Sequence, residues 1–331
     1  SASTGLMLKS NPNLLKENVP FNMEADSLNC IVLAEDVTTD MPDWNIFIKE
    51  VRKEMTLKAG QRCTGIRRIF VPENKMEDVW KNIADSLSQT TIGNPLNATV
   101  RMGSLAGQAQ RNEVKEQVQK LLASSQIIYG SLDSVNVIEA DANKGAFISP
   151  LLLMNEKPFE SKEVHEVEAF GPVSTIMPYN TIYDAIALSK LGKGSLCSTI
   201  VTANYKTAQQ YVVNAASHHG RILILNNECA KESTGHGSPL PLLVHGGPGR
   251  AGGGEALPER LLGGQEPCDV RLVPSHFQSK RRVGRAVAPV VDRRETGDGE
   301  DMLQLGNVIA RGPLVGGNLP HYAPAVAGEW H

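Results

Sequence analysis

Lys58-Ala-Gly-Gln-Arg-Cys-Thr-Gly-Ile-Arg-Arg68 joins two patterns of different period. Upstream, Trp44, Phe47, Ile48, Val51 and Met55 recur at three- and four-residue steps. That spacing predicts one buried face of a helix, with Pro42 in its first turn and a glycine stop near Ala59-Gly60. Downstream, Ile66 to Val71 reads as a strand closed by Pro72. Cys63 therefore stands in a glycine-containing turn between a helix and a strand. A thiolate there can attack an electrophilic carbon, and a carboxylate folded back onto it can activate water to release the product. Glu24, in Asn22-Met-Glu-Ala-Asp-Ser27, is the upstream candidate. The competing reading of Cys63 is a small buried hydrophobe. Alternation along the strand puts Arg67 and Arg68 on opposite faces, so at most one faces the cysteine.

Working outward, Ile31 to Leu33 reads as a strand, and Met76, Val79, Trp80, Ile83 and Leu87 as a second amphipathic helix. Val114, Val118, Leu121 and Leu122 mark a third helix. Val173 to Met177, Leu196 to Thr202 and Ile222 to Leu225 read as strands, separated by helices at Ile182 to Leu188 and Ala208 to Ala216. Alternating strands and helices imply a mostly parallel α/β sheet with flanking helices. His218 and His219 end a helix without a spaced acidic partner, so a capping role is expected and no metal site.

The chain has 331 residues, 41% of them hydrophobic, enough for a sizeable core and two ordinary domains. A net charge of −3 offers no basic field for nucleic acid, and no apolar run is long enough to span a bilayer. Five scattered cysteines without a CxxC pair argue against a disulfide scaffold and for a reducing, cytoplasmic compartment.

Several words then follow in one order: Ser1-Ala-Ser-Thr-Gly5, Glu24, Gly60-Gln-Arg-Cys-Thr64, Ile92-Gly-Asn-Pro95, Gly145-Ala-Phe-Ile-Ser-Pro150 and Glu168-Ala-Phe-Gly-Pro-Val173. In this the chain resembles the aldehyde dehydrogenase superfamily over residues 1 to 254. Asn22-Met-Glu-Ala-Asp-Ser-Leu-Asn29, Ser233-Thr-Gly-His-Gly-Ser-Pro-Leu240 and His245-Gly-Gly-Pro-Gly-Arg250 resemble its ring-cleavage semialdehyde dehydrogenases of phenylacetate and benzoate breakdown. The resemblance implies an aldehyde dehydrogenase-like catalytic domain plus the end of a truncated Rossmann-like cofactor domain. It implies that Cys63 forms a thiohemiacetal and, after hydride passes to the nicotinamide of NADP or NAD, a thioester that Glu24 hydrolyses as general base. It places Glu168 on the nicotinamide ribose, Phe170 beside the nicotinamide, and Ser1, Thr4 and Gly5 near the pyrophosphate. It places Asn226 and Asn227 against a small-molecule aldehyde, with a CoA-linked semialdehyde as the expected substrate. The competing reading of Glu168 to Pro172 is a helix-to-strand corner with Phe170 in the core. The wording after Glu24 departs from the Leu-Gly-Gly-Lys common in the family and matches the ring-cleavage branch.

The expected organisation is a cofactor-domain remnant at 1–30, a catalytic domain at 31–227, a glycine-rich active-site loop at 228–254 and an irregular tail at 255–331. The tail loses the resemblance abruptly, which suggests a shifted reading frame. The chain begins in mid-motif, so further residues are expected ahead of Ser1, and the homo-oligomer of intact relatives is in doubt for it. Two other readings stay open. One is a CoA-acylating dehydrogenase, against which Glu24 argues. The other is an inactive remnant with only a structural role.

Overall fold

The computed structural model describes residues 2–21, 23 and 25–228, together with the two-residue strands 257–258, 269–270, 272–273, 307–308 and 310–311. Ser1 and Glu24, nearly all of the expected glycine-rich loop and the rest of the expected tail lie outside the described residues. Two short helices, α1 (Ala2–Lys9) and α2 (Pro12–Lys16), lead in. The sheet is then built outward from β1 (Asn29–Leu33). It pairs in parallel with β2 (Ile66–Pro72) on one side and with β6 (Ser195–Val201) on the other. Next to β2 stands β5 (Val173–Tyr179), then β4 (Leu151–Met154), both parallel, and then the antiparallel edge strand β3 (Gln126–Tyr129). On the far side β7 (His219–Leu225) continues β6 in parallel, and Asp269–Val270 pairs antiparallel with it.

The central strands are buried on both faces, the expected setting for a parallel sheet covered by helices. Their alternation sorts side chains into two cores. Ile31, Leu33, Ile69 and Val71 pack with α3 (Pro42–Thr56) and α4 (Met76–Ser88) through Phe47, Val51, Met55, Val79 and Ile83. Cys30, Val32 and Phe70 point to the opposite core. There they join Val114 and Val118 of α5 (Gln108–Leu121), Val164 of α6 (Glu163–Glu166), Leu188 of α7 (Ile182–Leu191), and Ala208 and Tyr211 of α8 (Tyr205–Ala215). Each fully buried aliphatic or aromatic chain of this kind contributes about 1.5–3 kcal/mol of transfer free energy. α7 starts on a reciprocal capping box between Thr181 and Asp184, and α8 on Asn204, whose side chain accepts from the N–H groups of Lys206 and Thr207.

The expected α/β sheet with flanking helices is present. The predicted apolar face of α3 is buried at all its positions. Three details differ from the sequence reading. α3 stops at Thr56, before Ala59-Gly60. β3 and β4 carry no alternation and were not anticipated: β4 is a short all-apolar run, and β3 is a half-exposed edge. His219 does not cap a helix. It opens β7, buried, with Nδ1 2.7 Å from Ser195 Oγ. No helix among the described residues is long and apolar enough to cross a membrane, and no cluster of potential metal ligands occurs among them.

Candidate active site

After α3 the backbone enters a left-handed turn. Lys58 (φ 54°, ψ 35°), Ala59 (φ 51°, ψ 37°) and Gly60 (φ 70°) follow one another in that region. Gly60 is required there twice over. Its φ suits glycine, and a Cβ would stand 2.2 Å from the Gly171 carbonyl oxygen. The cysteine segment thus lies backbone to backbone against the Glu168–Pro172 corner. A hydrogen bond from the Gly65 N–H to the Arg62 carbonyl (3.1 Å) closes a turn with Cys63 and Thr64 at its tip. Cys63 is exposed, whereas Cys30 and Cys197 are buried. The buried-hydrophobe reading of Cys63 is therefore set aside.

Arg67 and Arg68 part as alternation requires. Arg68 is fully buried among the carbonyls of Leu28, Leu188 and Ser189 and Nδ1 of His165. Arg67 turns towards the cysteine segment. Its Nη2 donates to the carbonyls of Gly60 (3.0 Å) and Arg62 (3.1 Å), its Nη1 to that of Gly171 (2.8 Å), and its Nε to Glu168 Oε1 (3.0 Å). Arg62 does not face Cys63. Its Nη1 pairs at 2.6 Å with Glu54 of α3, both side chains buried. Burial raises the Glu54 carboxyl above its ordinary range against the opposing pull of Arg62.

Glu168 lies between α6 and β5, so the corner reading of this word is correct as to backbone. Its carboxylate is buried, with Oε2 accepting from the Ser27 N–H at 2.9 Å. Burial pushes its pKa up, while Arg67 and the Ser27 N–H act in the other direction. Phe170 is not core: the residue is 40% exposed, with the Arg67 guanidinium 5.3 Å from its ring centroid. Phe170 thus stands exposed beside the buried, Arg67-paired carboxylate of Glu168. Thr4 and Gly5 occupy the first turn of α1.

Cys63, Glu168 and Phe170 are thus brought together. Ser27 and Asn29, shortly after Glu24 in sequence, are bonded to Glu168 and to the Cys63 turn. Asn226 and Asn227 are not brought to this place. They follow the carboxyl end of β7, whereas Cys63 precedes the amino end of β2, and the intervening strands are parallel. That separates them by roughly 20 Å along the sheet. Asn226 Oδ1 accepts from the Glu228 N–H, and Asp43 accepts from the Asn227 N–H. A cleft of about 410 Å³ lined by Glu73, Glu156, Phe159, Tyr179 and Asp184 also lies at the carboxyl ends of the strands, away from Cys63.

Asn29 and Ser27 were missed from sequence. The available signal was a polar pair heading a fully buried strand, where each buried polar group needs a partner.

Residues 3–237 match the profile of the aldehyde dehydrogenase family. A 3,4-dehydroadipyl-CoA semialdehyde dehydrogenase of Aromatoleum evansii is 34% identical over 248 residues, 75% of this chain and 48% of the relative. Protein MaoC of Klebsiella aerogenes is 50% identical over 158 residues, 47% of this chain and 45% of the relative. The chain spans about half the length of these curated relatives. Among solved structures, a point mutant of betaine aldehyde dehydrogenase from Staphylococcus aureus in complex with NAD+ superposes with a TM-score of 0.63. It is 20% identical and covers 74% of this chain and 47% of that one. Lactaldehyde dehydrogenase from Escherichia coli gives 0.61 at 20% identity, over 74% and 48%.

Proposed function

Because the chain belongs to the aldehyde dehydrogenase family, we propose that it carries the nucleophile half of an NAD(P)-dependent aldehyde dehydrogenase. The proposed reaction oxidises a CoA-linked semialdehyde of aromatic-ring catabolism to its acid. The observation that carries this reading is the exposed Cys63, held at a turn tip against the Glu168–Phe170 corner. The CoA-linked substrate is supported by the similarity to the Aromatoleum evansii enzyme over three quarters of the chain.

The Cys63 thiolate adds to the aldehyde carbon, and its backbone N–H donates to the oxyanion. A bound nicotinamide dinucleotide supplies the hydride acceptor. Glu168 and Phe170 would hold its nicotinamide ribose end, and Ser1, Thr4 and Gly5 its pyrophosphate. Once the carbon is oxidised, Glu24 takes a proton from the water that hydrolyses the Cys63 thioester. Free carboxylic acid is then the product, not an acyl-CoA exchanged at Cys63.

The test is NADH and NADPH formation by the chain with a CoA-linked medium-chain semialdehyde, beside Cys63→Ala and Glu24→Gln. Turnover is expected to vanish in Cys63→Ala. Glu24→Gln is expected to slow release by about 10²–10⁴-fold and to leave an acyl mass on the Cys63 peptide. Turnover that survives Cys63→Ala would overturn the reading.

A further inference from the structure

The two peptide groups that flank Cys63 are both held by side chains. On the carboxyl side, Asn29 Nδ2 donates to the Cys63 carbonyl at 2.8 Å and to the Gly65 carbonyl at 2.9 Å. On the amino side, Arg67 Nη2 and the Gly65 N–H both donate to the Arg62 carbonyl at 3.1 Å. A peptide group is planar, so fixing the Arg62 carbonyl also fixes the direction of the Cys63 N–H. With both planes set, Cys63 has one backbone conformation, and its N–H has one direction.

Asn29 is itself immobilised. It is 1% exposed, and its Oδ1 accepts from Ser27 Oγ at 2.7 Å and from the Cys197 N–H of β6 at 2.9 Å. Ser27 Oγ in turn accepts from the Leu196 N–H at 2.9 Å. An amide side chain has two donor hydrogens and two acceptor lone pairs, and here all four are used. The reversed amide would face two carbonyls with its oxygen, so the assignment is unambiguous. The chain of bonds runs from the backbone of β6 through Ser27 and Asn29 to the nucleophile's own carbonyl. Arg67 completes the clamp from β2, anchored at its other end by Glu168 and Gly171.

We propose that Asn29 and Arg67 are positioning residues that aim the Cys63 N–H at the oxyanion formed when Sγ attacks a carbonyl. This rests on Cys63 as the nucleophile and goes beyond it by naming what preorganises its donor. A donor fixed before reaction needs no reorganisation as charge develops, which is where such donors act most strongly. Simple packing by the same two residues would support the fold without favouring one electrophile over another.

Two cofactor-free probes on the full chain separate these roles. With p-nitrophenyl acetate, the thiolate adds to the ester carbonyl, the tetrahedral oxyanion collapses, and p-nitrophenolate leaves with the C–O bonding pair. On a Glu24→Gln background, used for every chain in this comparison, the acetyl group remains on Cys63 as a thioester. With iodoacetamide, the thiolate displaces iodide from a saturated carbon and no oxyanion forms. Both rates are read at the Cys63 peptide by mass spectrometry, and the measured quantity is their ratio. In the otherwise wild-type chain this ratio is expected to exceed that of glutathione. Asn29→Ala and Arg67→Lys are expected to lower it by about tenfold to hundredfold, with alkylation little changed. Arg67→Lys keeps the charge opposite Glu168 and loses the fork on the carbonyls.

Protection of Cys30 and Cys197 from iodoacetamide reports the fold in the same digest. If Asn29→Ala exposes them, Arg67→Lys decides. An unchanged ratio in a variant with both cysteines protected overturns the positioning role and leaves the nucleophile standing. A ratio in the otherwise wild-type chain no higher than that of glutathione removes the nucleophile, and the positioning role with it.

Discussion

Three successive left-handed residues stand immediately before the reactive turn, and two of them are not glycine. Each such L-residue costs about 1–2 kcal/mol, which the surrounding contacts must offset. Lys58 is exposed, so little packing opposes its replacement. Lys58→Gly is expected to raise unfolding free energy by up to about 1 kcal/mol, net of the added chain entropy of glycine. Urea melts measure this, and a loss of stability would refute the strain argument. Gly60→Ala should do the reverse, because its Cβ would meet the Gly171 backbone, which has no rotamer to yield. A loss of about 2 kcal/mol or more is expected, with slower acylation of Cys63, since the turn and the Glu168 corner must separate. The Cys63 word was readable in the sequence because a switch from helical to strand period is a local signal. The second reason for Gly60 was not readable, because it depends on a segment distant in the chain.

At the scale of elements, helices with an apolar stripe were legible, and two short strands of four residues each, β3 and β4, escaped. β4 is a four-residue apolar run between Pro150 and Asn155, a pattern equally compatible with a buried turn of helix. His219 was misread as a helix cap because its partners, Ser195 and Ser189, come from other elements. His165 of α6 accepts from Arg68, and its pKa is pushed down to about 4, chiefly by burial and then by that cation. Burial, with Arg68 and His218, pushes His219 down to about 3. Both stay neutral in the fold while the unfolded chain takes up protons below about pH 6.5. Their contribution to stability is therefore complete above that pH and falls as pH drops towards the folded values. For His165 it amounts to roughly 3 kcal/mol over the whole window. Between about pH 6.5 and 5 the histidines lower the unfolding free energy as pH falls, while the raised carboxyls of Glu54 and Glu168 act in the opposite direction. His165→Gln should make the unfolding free energy fall less over that interval than it does in the wild type. A slope identical to wild type would mean that His165 is protonated in the fold.

For the whole molecule, the described sheet is closed by helices on both faces but not at its ends. β3 is an edge strand with half-exposed side chains. α1 and α2 present Leu6, Met7 and Leu15 at 57%, 66% and 70% exposure, with Leu8 and Val19 beside them. That apolar surface lies in the segment expected to be the remnant of a cofactor domain. The chain corresponds to about half of its curated relatives. Exposed apolar side chains and an open strand edge each favour association between copies. Light scattering after size exclusion should therefore show a mass that rises with protein concentration. The double substitution Leu6→Lys and Leu15→Lys should lower that mass. Neither side chain is packed, so the melting temperature should shift little, as expected for surface changes of within about 0.5 kcal/mol. If association persists unchanged in the double variant, β3 becomes the responsible surface, and a charged substitution at the half-exposed Ile127 should then reduce it. A monomer at every concentration in the wild type would show that neither surface drives contact between copies.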